Sequence, residues 1–412
     1  MGYRRRGTPW LAYIAVITAL LILLFPMDSF RAAVQGVAIW WDVLFPALFP
    51  FFVVSELMLG FGIVHFFGTL LDPMMRPVFR VPGPGGFVMA MGFASGYPVG
   101  ARLTSQLWDA KLVNREESER LAAFTTTSDP IFLIGAVSIG FFHNAALAPV
   151  LAVAHYGGAV ALGLLMRYWG GNSAPFAVAA SGVEEGRRPG GSIWRRAFAA
   201  MHQARMQDGR SLGTLLREGV QTGIRLIIVV GGLVVFFSVV IKVLTLAGVV
   251  SVIQSMVGFI LSLFGISAPL SAAIVNGFFE VTLGAKSAGA PFPGAQLQAQ
   301  AAVAAFILSW AGLSVHAQSM SLMHHMPVRY SSFVLARLVH AFISAFIAFF
   351  AWDALLPAEG VWLPDGASVS GWEAFRVFAP LSATLFIGTI FLIPVLFIVY
   401  TAVRPLWKLI SR

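Results

Sequence analysis

Three basic residues stand inside stretches of sequence that are otherwise apolar: Arg102, Lys286 and Arg337. A charged side chain inside a bilayer is costly, so each is a candidate for a functional role. Arg102 and Lys286 follow glycine-containing breaks that begin at Gly92 and Gly277. A guanidinium can hold a carboxylate through two hydrogen bonds, and an ammonium holds it more loosely. We predict an anion site with Arg102 as its anchor; snorkelling to an interface or internal pairing is the alternative for each cation.

The break before Arg102 offers neutral ligands as well. Ser95, Gly96, Tyr97 and Gly100 lie where a helix is interrupted, and Gly284 is the matching residue of the second break. Freed amides and the positive ends of half-helices favour an anion. Tyr97 can stack on an aromatic ring or donate to a carboxylate, although packing at the tip of the break explains it equally well.

Small polar residues interrupt two further apolar stretches, at 125–130 and 309–314. Pro130 lacks an amide hydrogen and leaves one carbonyl without its helical donor, while neighbouring hydroxyls offer other partners. We predict that both stretches are unwound helix centres that line the site; kinked helices satisfied by their neighbours are the alternative. The predicted ligands in them are Thr126, Thr127, Ser128, Ser309 and Ser314.

The acidic residues Asp129 and Glu280, and more weakly Glu56, have two possible roles. They can bind a proton or sodium ion that couples to solute movement, or they can neutralise Arg102 and Lys286. A metal site is not expected, because the histidines at 316, 324 and 325 lack the spacing and the carboxylates that would complete one.

Composition limits the class of protein. The 412 residues are 58% apolar and only 11% charged, with a mean hydropathy of +0.82 and no cysteine. We expect an all-α polytopic membrane protein without disulfides or thiolate metal sites. Nucleic-acid binding is not expected, because no basic face is interleaved with aromatic residues. The sequence has no Walker loop, dinucleotide fingerprint or nucleophile elbow, so we expect neither an enzyme nor a bound cofactor.

About eight spans are predicted, together with two re-entrant helical hairpins at 84–108 and 267–290. The predicted spans are 9–26, 36–62, 120–145, 147–168, 221–247, 297–320, 331–352 and 376–403. The N-terminal apolar stretch lacks the small-residue cleavage site of a signal peptide, so it is taken as the first span. The distribution of Lys and Arg among the loops places both termini in the cytoplasm.

The chain also resembles itself. Gly92-Phe93 recurs as Gly277-Phe278, about 185 residues later, and similar short matches continue for a hundred residues. Three crossings separate equivalent points, which inverts the second half, and inverted repeats with broken helices are typical of secondary transporters. The predicted divisions are 1–30, a first repeat at 31–168, a loop at 169–215, a second repeat at 216–352, and 353–412 with the last span.

The arginine-rich loop at 169–215 contains a predicted amphipathic helix at 193–206. One face collects Ile193, Trp194, Ala197, Phe198 and Met201, which suits a helix on the membrane surface. A linker helix without a role is the alternative. A homo-oligomer or a protein partner bound through residues 170–215 is a further expectation.

Several motifs resemble the YlbJ-type (SpoVV) sporulation integral membrane proteins of the Gate, or nucleoside-recognition, group. They are GYPVGAR at 96–102, ERLAAFTTTSDPIFLIGAV at 119–137, GFFE at 277–280 and SWAGLSVHAQS at 309–319. The resemblance covers residues 10 to 403. It implies a core like that of concentrative nucleoside transporters, and movement of dipicolinic acid across a bacterial inner membrane, with the outer forespore membrane as one setting.

Three functions follow from these observations. The first is a secondary carrier or gated permease for a small organic anion, dipicolinate first, by alternating access between opposed hairpins. The second is a nucleoside or nucleobase transporter of the same fold; its neutral solute does not need the buried cations. The third is a non-transporting membrane scaffold that uses the arginine-rich loop.

Overall fold

The computed structural model describes residues 9–170, 192–291 and 296–355, and it is helical without strands in these ranges. The helices are α1 Pro9–Leu24, α2 Pro26–Ile39, α3 Phe45–Gly60, α4 Ile63–Phe79, α5 Pro84–Ser95, α6 Tyr97–Asp109, α7 Arg115–Thr125, α8 Leu147–Ala152, α9 Gly158–Met166, α10 Ile193–Asp208, α11 Leu212–Leu246, α12 Val249–Leu263, α13 Ser271–Phe279, α14 Val281–Ala288, α15 Leu297–Trp310, α16 Gly312–Leu322, α17 Tyr330–Phe350 and α18 Trp352–Leu355. Segments of π-helix at Trp40–Leu44 and Val153–Gly157 join α2 to α3 and α8 to α9, and a third, Ile131–Phe141, follows α7.

Four apolar helical stretches are long enough to cross a bilayer. They are Leu147–Met166, Leu212–Leu246, Leu297–Leu322 and Tyr330–Phe350, and they coincide with four of the predicted spans. Two bent pairs, Ala12–Leu24 with Pro26–Asp42 and Phe52–Gly60 with Ile63–Phe79, raise the number to at most six if each pair is counted as one span. The expected class, an all-helical polytopic membrane protein, is confirmed. The predicted span at 376–403 lies outside the described residues.

Two predicted spans have different bounds. The span predicted at 36–62 lies in a continuous helical rod that begins at Pro26 and reaches Gly60 through the π-helical segment. The span predicted at 120–145 begins at Arg115 and is broken after Thr125. Two further helices, α4 and α12, lie between the predicted spans and the predicted hairpins and were not predicted.

The order of elements occurs twice along the chain. A long helical rod, a shorter helix, a broken hairpin, a broken helix and a final helix run from α2 to α9 and again from α11 to α17. The shorter helices α4 and α12 both follow a glycine in the left-handed region, Gly62 at φ 74° and Gly248 at φ 78°. The opposite membrane orientation of the two halves stays a prediction.

The two rods pack closely against each other. The Cα of Val235 on α11 lies 2.9 Å from the place that a Cβ on Gly36 would take. Trp40 packs over Gly231 and donates from Nε1 to the carbonyl of Ile227 at 2.9 Å. Small residues let helices approach in a membrane, where packing and hydrogen bonds drive association. The rods therefore form a joint scaffold for both halves.

Both predicted hairpins contain their break. The first hairpin, α5 and α6, turns at Gly96 with φ 88° and ψ 179°, a conformation open only to glycine. The second, α13 and α14, turns at Glu280 in an extended conformation. Gly92 and Gly100 each place the Thr125 carbonyl 2.4 Å from a virtual Cβ. The first hairpin is thus seated on the end of α7.

The predicted amphipathic helix of the arginine-rich loop is present as α10, and residues 171–191 before it lie outside the described part of the chain. Its apolar face packs in part on α4, because Ala197 is fully buried and Phe198 contacts Phe66 at 5.0 Å between ring centroids. Trp194 and Phe198 keep more than half of their surface exposed.

We expect Gly96→Ala to destabilise the protein, because a Cβ there has to adopt a glycine-only conformation and would lie 3.1 Å from Oδ2 of Asp129. The strain is on the order of 1–3 kcal/mol. Thermal unfolding in detergent measures it. The matched control is Gly232→Ala on α11, where a Cβ meets nothing within 4 Å. Equal melting temperatures for the two variants would contradict the strained turn.

Candidate functional site

A cavity lies where the two hairpin breaks meet. Its polar lining comes from Tyr97 on the first hairpin, Glu280 and Thr282 on the second, Asp129 after α7 and Gln318 on α16. Its apolar walls include Val230 and Val234 of α11. Water molecules can occupy about 40 Å³ of it, room for about three waters. The cavity is therefore built by both halves and is smaller than an organic solute in this conformation.

The two carboxylates of the cavity cap helices that restart after a break. Asp129 Oδ1 accepts from the amide of Phe132 at 2.8 Å, at the start of the π-helical segment. Glu280 accepts from the amide of Leu283 at 2.7 Å, at the start of α14. Both residues are buried. Since a helix N-terminus favours a negative charge, each carboxylate offsets the positive end that would otherwise face the cavity.

Gln318 has free hydrogen-bonding capacity in the cavity. It is 4% exposed, and its amide has no hydrogen-bond partner among the described residues. An amide carries two donors and an acceptor, and Gln318 lies on the lining of the cavity. Its position on the lining therefore leaves donors and an acceptor next to the cavity.

Arg102 does not reach the cavity. It is buried on α6 and forms an ion pair through Nη2 with Glu56 of α3, while Nη1 has no partner among the described residues. The ion pair links the first hairpin to the rod that contains α3. Glu56 therefore balances the positive charge of Arg102, which was predicted to bind the solute. This pair agrees with the alternative raised from the sequence, in which Arg102 is paired internally and Glu56 is a weaker candidate for neutralising it.

Lys286 does not face Arg102 across one site. It is exposed and does not line the cavity. The arm α14 is only 8 residues long, so one turn beyond Thr282 the chain already approaches the protein surface. Lys286 forms no ion pair with Glu280 in the described part of the protein. Neither Arg102 nor Lys286 lines the cavity in this conformation, and their role in binding a solute stays a prediction.

Arg337 is a structural ligand of a helix break. It is 0% exposed and donates to the carbonyls of Ala123 and Thr126, which the end of α7 leaves without helical donors. Its Nη2 also lies 2.9 Å from Nδ1 of His340. A guanidinium suits the negative end of a helix. Arg337 thus lies behind the cavity, not on its lining.

His155 joins the two broken helices. Its Nε2 accepts from the amide of Ser128 at 2.9 Å, which places the ring proton on Nδ1, where Ser309 Oγ accepts at 2.8 Å. Ser309 in turn donates to Ser344 at 2.8 Å. His340 uses Nε2 to donate to the carbonyl of His155 at 2.8 Å. This buried network connects both halves of the molecule at the level of their breaks.

The remaining predicted ligands satisfy the backbone or pack. The hydroxyls of Thr126 and Thr127 donate to the carbonyls of Ala122 and Gly92 at 2.7 and 3.2 Å. Ser128 Oγ lies 3.5 Å from the carbonyl of the next residue. The hydroxyls of Ser95 and Ser314 are buried without a partner among the described residues. Gly100 and Gly284 allow close helix contacts.

Tyr97 has two roles. It lines the cavity, and its hydroxyl donates to the carbonyl of Leu308 at 2.8 Å, near the break between α15 and α16. That break is made by Ala311 and Gly312, both at positive φ. The first hairpin tip is therefore bonded directly to the broken helix of the second half. Of the predicted site residues, Tyr97, Asp129 and Glu280 meet at the cavity.

The histidines considered for a metal are dispersed. His316 Nε2 bonds the carbonyl of Trp310 at 3.0 Å, and His325 pairs with Asp109 at 2.9 Å. No group of three or more potential metal ligands occurs in the part of the chain that the structure describes.

Sequence reasoning missed His155, His340, Thr282 and Gln318. A signal existed for two of them: His155 aligns with Arg337 in the repeat, and Gln318 belongs to the SWAGLSVHAQS motif. A histidine within an apolar span is a candidate for a functional or structural role for the same reason as a lysine or an arginine.

The sequence matches a known protein family. The Gate family model, described as nucleoside recognition, matches residues 42–160 and 227–351. The sporulation integral membrane protein YlbJ of Bacillus subtilis (strain 168) is 38% identical over 358 residues, which cover 87% of this chain and 86% of that protein. No solved structure matches.

We expect His155→Leu to destabilise the protein, because it leaves the Ser128 amide and the Ser309 hydroxyl without their partner. Each buried group left unsatisfied costs about 1–3 kcal/mol. Thermal unfolding of the purified protein measures the change. His202→Leu, an exposed position on α10, is the control and should have little effect. A wild-type melting temperature for His155→Leu would show that the network does not support the breaks.

Proposed function

Since this chain belongs to the Gate, or nucleoside-recognition, family of integral membrane proteins, we propose that it is a transporter whose solute site is the cavity between the hairpins. One observation carries the proposal: two broken hairpins and two broken helices, one of each from either half, converge on that cavity. In a bilayer, irregular backbone is tolerated only against protein or a wet cavity, and transporters bind solutes at such places.

The small size of the cavity fits a closed state in an alternating-access mechanism. With room for about three waters, it has to widen before an organic solute enters. The hairpin tips are held by few bonds, such as the one from Tyr97 to the Leu308 carbonyl. Movement of one hairpin opens the cavity to one side of the membrane, and movement of its counterpart opens it to the other.

Dipicolinic acid is the first candidate solute, as a small organic anion moved during sporulation. The name of the Bacillus relative ties that protein to sporulation, and we extend this setting to the present chain. The charged residues of the cavity, Asp129 and Glu280, are acidic. A dianion therefore enters when both are protonated, and its carboxylates then take over the helix N-termini that Asp129 and Glu280 cap. On this account, entry of dipicolinate is coupled to the binding of one proton by each of these two carboxylates.

A nucleoside is the second candidate, and one observation favours it. The polar lining consists of Tyr97, Thr282, Gln318 and two carboxylates, groups that suit the hydroxyls and base edges of a neutral solute. The two candidates differ in what they require of the carboxylates. A nucleoside needs them ionised as acceptors, and a dianion needs them neutral.

We expect purified protein in liposomes to take up labelled dipicolinate, faster with a proton gradient directed inward. Gln318→Ala should reduce uptake about tenfold, because one good hydrogen bond contributes about 1–1.5 kcal/mol. The double variant Asp129→Asn/Glu280→Gln should retain uptake and lose its dependence on the proton gradient. Initial rates measured with and without the gradient provide the test.

The matched control is Gln203→Ala, an exposed position on α10 away from the cavity. Uptake equal to that of empty liposomes would contradict transport of dipicolinate. Uptake of uridine that the double carboxylate variant abolishes would assign the cavity to the second candidate. Wild-type uptake by Gln318→Ala would contradict the location of the site.

A further inference from the structure

The helix α10 is fixed to the protein body along α4. Phe66 contacts Phe198 at 5.0 Å and Trp194 at 6.2 Å between ring centroids. Ala197 is fully buried, and the carbonyl of Met201 lies 2.5 Å from the place that a Cβ on Gly62 would take. The helix is therefore a docked element of the fold and not a loose linker.

The position of α10 along the membrane normal follows from its neighbours. The helix α4 bends by 81° from the end of the rod that contains α3, so it runs across the end of that rod. The chain leaves α10 at Asp208 and enters α11 at Leu212. With 35 residues, α11 is about 52 Å long, and it exceeds the roughly 30 Å of the bilayer core. Both α4 and α10 therefore lie at the level of lipid headgroups.

The helix α10 carries half-exposed aromatic side chains on the face that borders α4, and cations without an ion pair among the described residues off that face. Trp194 and Phe198 are 54% and 55% exposed. Arg195 and Arg196 are exposed and form no ion pair with any described residue. Half-exposed aromatic rings beside unpaired arginines are what anionic lipid surfaces bind.

Two other arginines near this helix, Arg205 and Arg210, form ion pairs. Arg205 and Arg210 pair with Asp208, and Arg210 also pairs with Glu218 at 2.7 Å. The hydrogen bonds from Arg210 hold the pKa of Asp208 below its ordinary value, so this carboxylate is ionised at neutral pH. The free positive charge of α10 is thus concentrated at Arg195 and Arg196.

We propose that Trp194, Arg195, Arg196 and Phe198 form a binding surface for anionic phospholipid headgroups. The aromatic rings enter the interface next to Phe66, and the two guanidinium groups hold lipid phosphates. This surface is connected to the first hairpin, because Asp72 of α4 accepts from the Gly83 amide at 2.8 Å, just before α5. Lipid bound at α10 steadies the platform on which that hairpin turns. The inference is independent of which solute the cavity takes.

A single fluorescent label tests it, since the chain contains no cysteine. Ala199→Cys, exposed on α10, is labelled with an environment-sensitive dye, and the full-length protein is placed in nanodiscs of phosphatidylcholine with increasing phosphatidylglycerol. We expect a blue shift that grows with phosphatidylglycerol and weakens with salt. In the double variant Arg195→Gln/Arg196→Gln, the phosphatidylglycerol fraction at half-maximal shift should rise severalfold, because the loss of each arginine lowers the affinity for anionic lipid about fivefold.

Arg31→Gln is the control for the loss of a cation outside this surface. Arg31 is exposed on α2, at the other end of the rod. It should leave the titration unchanged. Emission that is the same in both lipids, or a double arginine variant that titrates like the wild type, would overturn the proposal. A titration that responds to Arg31→Gln as strongly as to the double variant would also overturn it, because the effect would then be one of net charge.

Discussion

A bilayer supplies no water to a carbonyl or amide that leaves a helix, and the structure is arranged around that constraint. After Thr125 the chain abandons its helix, and Arg337 from the last described span donates to two of the carbonyls left behind. His155 accepts the amide of Ser128 on the other side of the same break. Without these partners, each freed group would cost a large share of a protein's net stability.

The same constraint couples the two halves. The groups that satisfy the first break come from both repeats: His155 belongs to the first, and Arg337 to the second. Tyr97 links the halves in the other direction: its hydroxyl, on the first hairpin, donates to the carbonyl of Leu308 in the second repeat. A movement at one break therefore strains its partner, which is a physical basis for opening the cavity to one side at a time.

The cavity owes its charge to helix capping. Asp129 and Glu280 begin the helices that follow the breaks, so the site acquires two carboxylates before any solute is considered. In the anion account, the protons that neutralise these caps and the solute that replaces them are linked. In the nucleoside account, the caps themselves are the recognising groups.

The sequence was informative where a residue type leaves few options. Glycine at 96 and proline at 130 marked breaks that the structure contains, and the repeat located the second hairpin. The sequence did not predict the role of a residue where that role depends on a partner distant in the chain. Arg102 and Arg337 looked alike in the chain, yet one pairs with Glu56 and the other holds carbonyls. Periodicity cannot supply such long-range partners, and it also passed over α4 and α12, whose length falls short of a span.

Labelling of one introduced cysteine tests the central claim, that the cavity is the solute site, most directly. In a chain without cysteine, Thr282→Cys should react with a membrane-impermeant thiol reagent, and dipicolinate should slow the reaction. His324→Cys, exposed after α16, should react at the same rate with and without the solute. If neither dipicolinate nor uridine slows the reaction at position 282, the account is contradicted. Equal slowing at positions 282 and 324 would also contradict it.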